Sequence, residues 1–204
     1  MSDSAEPGTE LSGAARDAIF RVHAAEPAIS ADLLGVERDN SYGAWLEGFA
    51  CRVKGESRLG EKLSTIAPDA TPDEAVRQIP DVIRYTFCVR PEKYTQAYFD
   101  ITARMDALGY EQYQCKNSWT DPEYKGINSR WVTAGGVRFE VQFHTPDSFH
   151  AKHHVTHESY ERLRDPRTSR PELLELHTYQ QEVSTSLPTP PLAIDIPVFR
   201  RKGF

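Results

Sequence analysis

The stretch from Ala134 to Thr145 constrains the fold of this chain more than any other. A Gly135-Gly136 pair makes a tight turn, and strict alternation follows. Val137, Phe139, Val141 and Phe143 point one way. Arg138, Glu140, Gln142 and His144 point the other, because successive strand side chains leave opposite faces. A chain with this run has to set it in a sheet with one face on a core. The other face carries a carboxylate, an amide and an imidazole in a row, just before a His-rich segment. It reads either as a solvated strand face or as the wall of a site, and spacing alone leaves both open.

The rest of the chain supplies partners for that strand. Ala15, Ile19, Val22 and Ala25 fall at helical spacing, which predicts a helix over 14–25 ending before Pro27. A second helix is expected over 30–35, with Asp39-Asn40-Ser41 as capping residues. Residues 1–12 read as a disordered leader, and 42–53 as an irregular apolar segment packed on the core. Asp81 to Val89 is the clearest core strand, β-branched and aromatic, bounded by Pro80 and Pro91. An amphipathic helix over 92–108 stops at Gly109. A strand over 110–115, a loop over 116–126 and a strand over 127–133 lead into the Gly-Gly hairpin. Helices are expected from Pro146 to about Arg164 and over 171–187. A Pro-rich tail, with Pro188, Pro190, Pro191 and Pro197, reads as a surface strap.

Composition narrows the function classes. The 204 residues are 39% hydrophobic and 26% charged, as in globular proteins. No apolar run reaches the roughly 18 residues of a membrane-spanning helix. The N-terminus has no basic and apolar signal pattern, so the compartment is cytoplasmic by default, or secreted if an upstream signal was removed. Cys51, Cys88 and Cys115 lack metal spacing and are odd in number, which favours reduced core thiols over a disulfide framework and leaves one bridged pair open. A net charge of −6 argues against a grip on long nucleic acid.

Three clusters carry candidate chemistry. Arg52, Lys54, Arg58 and Lys62 fall within eleven residues, broken by Gly55 and Gly60. At a loop-to-helix junction they would converge on a polyphosphate; as a plain helix face they would pair with Glu56 and Glu61. Asp81 and Arg84 stand at the rim of the core strand, where a carboxylate either holds Mg²⁺ near phosphate or caps a turn. His150, His153, His154 and His157 fall on one helical face. That face lacks the glutamate of zinc proteases, so it reads as a helix beside a site, with one or two imidazoles touching phosphate.

The order of these features resembles the synthetase domain of RelA/SpoT-type alarmone synthetases, from about Trp45 to Arg164. The style is that of the small single-domain members that act as toxins or as secreted nucleotide pyrophosphokinases. The resemblance implies transfer of the β,γ-pyrophosphate of ATP to the 3′-hydroxyl of an acceptor nucleotide, with Mg²⁺. Arg52, Lys54 and Lys62 match the residues that hold the ATP phosphates and flank adenine. Arg58 stands where the family often has serine, and Arg84 joins the phosphate set. Asp81 matches the metal-binding aspartate. Glu140 matches the glutamate that binds Mg²⁺ and activates the hydroxyl. Gln142 matches its neighbouring glutamine, and His144 stands where arginine is commoner. Lys116, Pro122 and Gly126 match the acceptor loop. Where the family reads Asn-Gly-Tyr, this chain reads Lys125-Gly126-Ile127. Ile127 cannot stack a base, which leaves Tyr124 or Trp119 to replace the ring.

The expected fold is α/β: a mixed, mainly antiparallel sheet of about five strands flanked by helices, nucleotidyltransferase-like. It would span 13–187, with 188–204 as a basic tail. The leading function is an ATP:nucleotide 3′-pyrophosphotransferase. Its alternative is a toxin acting on the 3′ end of tRNA, with phosphate contacts from Arg164, Arg167, Arg170 and Arg200-Arg201-Lys202, and with an antitoxin protein as partner. A third reading is an inactive nucleotide-binding module.

Overall fold

The computed structural model describes residues 13–55, 59, 71–79 and 81–203. The expected leader at 1–12 and the basic residues Arg58 and Lys62 lie outside them. In chain order the elements are α1 (Gly13–Asp39), β1 (Trp45–Leu46), α2 (Pro72–Gln78), β2 (Arg84–Cys88), α3 (Tyr94–Ala107), β3 (Glu111–Asn117) and β4 (Ile127–Val132). Then come β5 (Arg138–His144), α4 (Pro146–His150), a π-turn (Ala151–Val155), α5 (His157–Arg164), α6 (Arg170–Ser186) and β6 (Phe199–Arg200).

The strands form one mixed sheet in the order β1-β2-β5-β4-β3-β6. The β2–β5 pair is parallel and the other pairs are antiparallel. The expected class holds, with six strands rather than about five. The strands not read from the sequence are β1, in the segment expected to be irregular, and β6, in the Pro-rich tail. Asn117 Nδ2 donates to the carbonyls of Ala193 and Ile196 at 2.8 and 3.0 Å, and both residues are buried. The strap is thereby bonded along the open edge of β3, where an unpaired strand would otherwise be exposed.

One sheet face carries the core. Tyr85 and Phe87 of β2, Phe139, Val141 and Phe143 of β5, and Trp131 of β4 are each at most 2% exposed. Helix α3 covers them with Tyr94, Ala97, Tyr98, Ile101 and Met105. Tyr98 meets Phe143 edge-on at 4.9 Å, and the Tyr94 hydroxyl donates to the Phe143 carbonyl at 2.8 Å. The core side of the alternation therefore stands as expected.

The break expected at Pro27 does not occur, because α1 runs through it. An interior proline costs about 3 kcal/mol. Ile29, Leu33 and Val36, just beyond it, are each at most 4% exposed. At about 1.5–3 kcal/mol per buried aliphatic side chain, their burial exceeds that cost. Upstream, Ala18 and Ile19 join a second cluster with Leu59, Val76, Ile79 and Val82. Among the described residues, no helix is long and apolar enough to cross a membrane.

The thiols give a simple check. All three are free, with Cys88 and Cys115 buried and Cys51 exposed, so Cys51 departs from the expected core placement. Burial pushes the Cys88 thiol up to about 12 and also raises that of Cys115. Raised values keep both protonated and unreactive near pH 8. A disulfide reagent should therefore label one thiol rapidly in the native protein and three after denaturation. Rapid labelling of all three in the native protein would contradict this packing.

Candidate active site

The register of the sheet builds a row of charge on the face opposite the core. Parallel pairing sets Arg84 of β2 beside Glu140 of β5, and Thr86 beside Gln142. The hairpin sets Arg130 of β4 on the other side of Glu140, and Asn128 beside Gln142. Strand β3 then places Gln114 beside Arg130, and exposed Lys116 beside Asn128. Neighbouring strands lie about 4.8 Å apart, so Arg84, Glu140 and Arg130 are adjacent side chains. Glu140 is 7% exposed. Both arginines are half-buried, and neither makes an ion pair with a described residue. Half-buried guanidiniums normally find an anion, so the row is built to receive one.

A second basic group meets the row from the β1 side. Val53 bridges Ile83, the Arg84 amide donates to the Arg52 carbonyl at 2.7 Å, and the Lys54 amide to Val82 at 3.0 Å. This pairing brings Lys54 onto Asp81, where the two form an ion pair. Arg52 turns instead toward α1. It donates to Glu26 and, at 3.1 Å, to Ser30 Oγ, and its guanidinium lies 4.3 Å from the Phe49 ring centre. Burial pushes Glu26 up, but hydrogen bonds from Arg52 and Ser30 outweigh it and leave its pKa lowered. Beside Arg84 lies a cavity of about 260 Å³ lined by Phe49, Thr86, Phe149, His153 and His154.

The polar face of β5 is covered rather than open, because α4 and the 118–126 loop fold over it. Gln142 is 5% exposed and His144 fully buried. His144 Nε2 meets the Tyr124 hydroxyl at 3.0 Å, and Nδ1 meets Ser148 Oγ at 2.9 Å. Burial, then the Lys152 charge, holds this imidazole well below its usual pKa, hence neutral. With both nitrogens engaged, His144 anchors the loop instead of facing a ligand.

The acceptor-loop residues divide in the same way. Trp119 is 2% exposed and stands edge-on to Tyr94 at 5.2 Å, so it is core and offers no stacking face. Lys125 Nζ donates to the carbonyls of Trp119 and Asp121, tying the loop to itself. Tyr124 is half-buried and also bonds Asn128 at 3.0 Å. Ile127 is fully buried. Gly126, at φ +153°, passes directly against His144.

The expected histidine face is interrupted. The π-turn, closed by the Thr156 amide on the Ala151 carbonyl at 2.8 Å, breaks the helical period on which that face was read. His153 instead packs on Phe149 at 4.3 Å, and the His150 and His154 rings lie 5.1 Å apart. The same turn delivers Lys152, a residue the sequence pattern had not marked, to the site, where it donates to Gln142 Oε1. Arg130 was also unmarked, although the hairpin register contained it. Two members of the basic strip suggested for tRNA make exposed ion pairs within the chain. Arg167 binds Asp165 at 2.8 Å and Arg201 binds Glu111 at 2.6 Å.

Solved structures share this architecture. The Type VI effector Tas1, crystallised with its immunity protein, superposes with a TM-score of 0.62 at 19% identity, over 87% of this chain and 97% of that one. The chain has the RelA/SpoT-type synthetase fold. A GTP pyrophosphokinase family protein from Streptococcus pneumoniae gives 0.60 at 13% identity, over 86% and 90% of the two chains. Small alarmone synthetase 1 from Bacillus subtilis gives 0.53 at 15% identity, over 82% and 88%. No protein-family model matches the chain, and no curated protein matches it in sequence.

Proposed function

We propose that this RelA/SpoT-type synthetase fold is an ATP-dependent pyrophosphotransferase acting on the 3′-hydroxyl of a nucleotide. The observation that carries this reading is the row Arg84–Glu140–Arg130, a buried carboxylate between two half-buried arginines with no ion-pair partner among the described residues. Phosphoryl transfer asks mainly for positioning and for neutralised charge. Arg84, with Lys54 nearby, suits the donor phosphates, and the adjoining aromatic cavity suits a base. Lys116 and Arg130 lie on the far side of Glu140, where an acceptor's own phosphates are kept apart from the donor's.

In the proposed step, the acceptor 3′-oxygen bonds to the β-phosphorus of ATP while the bond from the α-phosphate oxygen to that phosphorus breaks. AMP leaves, and the hydroxyl proton passes to Glu140. Among the described residues, no three or more His, Cys, Asp or Glu are grouped to hold a metal. Mg²⁺ at such sites takes one or two carboxylates and completes its shell with phosphate oxygens and water; Glu140, and Asp81 once released from its ion pair with Lys54, are the carboxylates that would hold it. Bound there, it would offset charge on the transferred phosphates. The similarity to Tas1 supports a protein of the immunity class as a partner.

The test is incubation with Mg²⁺ and γ-labelled ATP, offering GDP, GTP, ADP, ATP or deacylated tRNA in turn. Label is expected in a nucleotide acceptor. Label in tRNA alone would replace this reading with the tRNA-directed one, and no transfer to any acceptor would overturn both.

A further inference from the structure

Lys152 sits in the π-turn that follows α4, with its side chain half-buried over the polar face of β5. Its ammonium donates to Gln142 Oε1 and lies 5.6 Å from the centre of the Tyr124 ring. Gln142 Nε2 in turn donates to Glu140 Oε1. An ammonium can only donate and an ionised carboxylate can only accept. The amide between them is therefore held in one of its two orientations. Withdrawing a lysine from water is costly, and methionine would fill the same space without that cost. Burial, followed by the charge of Arg84, brings Lys152 down to about 8, while Glu140 and Asp81 act in the opposite direction. The ammonium thus shares one electrostatic space with the row.

We infer that Lys152 is a positioning residue: acting through Gln142, it fixes the Glu140 carboxylate with one oxygen occupied and the other left for the acceptor hydroxyl. The inference rests on the pyrophosphotransferase reading for its catalytic consequence. The relay itself is independent of that reading. Without the ammonium, Gln142 is free to flip or turn away, and the carboxylate loses its fixed direction. Substrate contacts elsewhere stay in place, so the loss falls on turnover and not on binding.

The test uses the full chain with K152M and K152R, read in two ways. In steady-state transfer, K152M is expected to lower kcat by about 10²-fold, the scale of a small misplacement at a reacting group, with KM within about 3-fold. K152R, which keeps the donor and the charge, should recover most of that loss. A K152M enzyme with kcat within about 2-fold of wild type, or a loss confined to KM, would overturn the inference. So would a K152R enzyme no better than K152M. The second reading is the NMR signal of the Gln142 side-chain amide, assigned by its disappearance in Q142M. It is expected to be shifted and exchange-protected in wild type and K152R, and to revert toward free-amide values in K152M. If wild type transfers phosphate to no acceptor, the functional reading fails and the amide signal decides the relay. An amide signal unchanged in K152M overturns it.

Discussion

Glu140→Gln is expected to reduce turnover by about 10³-fold, within the 10²–10⁴ range of a general base, with little change in KM. The carboxylate is buried in the centre of the sheet, between Arg84 and Arg130. Glutamine has the same shape and keeps one oxygen to accept from Gln142, so the fold should be unaffected. It can neither take the hydroxyl proton nor offer a charged ligand to Mg²⁺. Initial rates alongside a thermal melt check this. An E140Q enzyme within about tenfold of wild type would assign the proton transfer to another group.

The largest expected effect on stability is that of Gly126→Ala. A Cβ there would lie 2.8 Å from His144 Cε1, 3.0 Å from His144 Nδ1 and 3.0 Å from the Phe143 carbonyl. The carbonyl belongs to β5 and His144 is held at both nitrogens, so neither neighbour can give way. Backbone strain at about 1–3 kcal/mol and overpacking at about 1–3 kcal/mol together predict a loss of roughly 2–6 kcal/mol. For a chain of this size that lowers Tm by roughly 5–20 °C. Gly109→Ala is the matched control. Its φ is +86°, but nothing lies within 4 Å of the new Cβ, so it carries the strain without the clash. Equal melting temperatures for the two variants would contradict the close approach of loop and strand.

The central part of the fold was legible because period-2 alternation and a Gly-Gly turn are local signals. They gave β5, its core face and Glu140 without reference to any other element. The hairpin carried more than was read from it. With Thr133 bonded to Val137 across the turn, counting back along both strands puts Arg130 beside Glu140. Pro27 misled because its local cost was weighed without the burial on either side of it. The histidine face was misread and Lys152 was missed for one shared reason: a π-turn changes the period, and no single residue type announces it. Trp119 looked like a stacking residue because exposure in a loop cannot be judged from sequence, and here the loop folds inward. The tail's role as an edge strand depends on Asn117, far away in sequence.

The measurement that bears most directly on the central claim is the fate of each phosphate of ATP. The protein is incubated with Mg²⁺ and its acceptor, using ATP labelled at the β-phosphate in one reaction and at the γ-phosphate in another. Pyrophosphate transfer predicts that both labels move together to the acceptor and that AMP forms in equal amount to product. Movement of the γ label alone, with ADP as the second product, would make this a simple kinase. Release of both labels as free diphosphate, with AMP attached to the acceptor, would make it a nucleotidyltransferase. Either result would contradict the account.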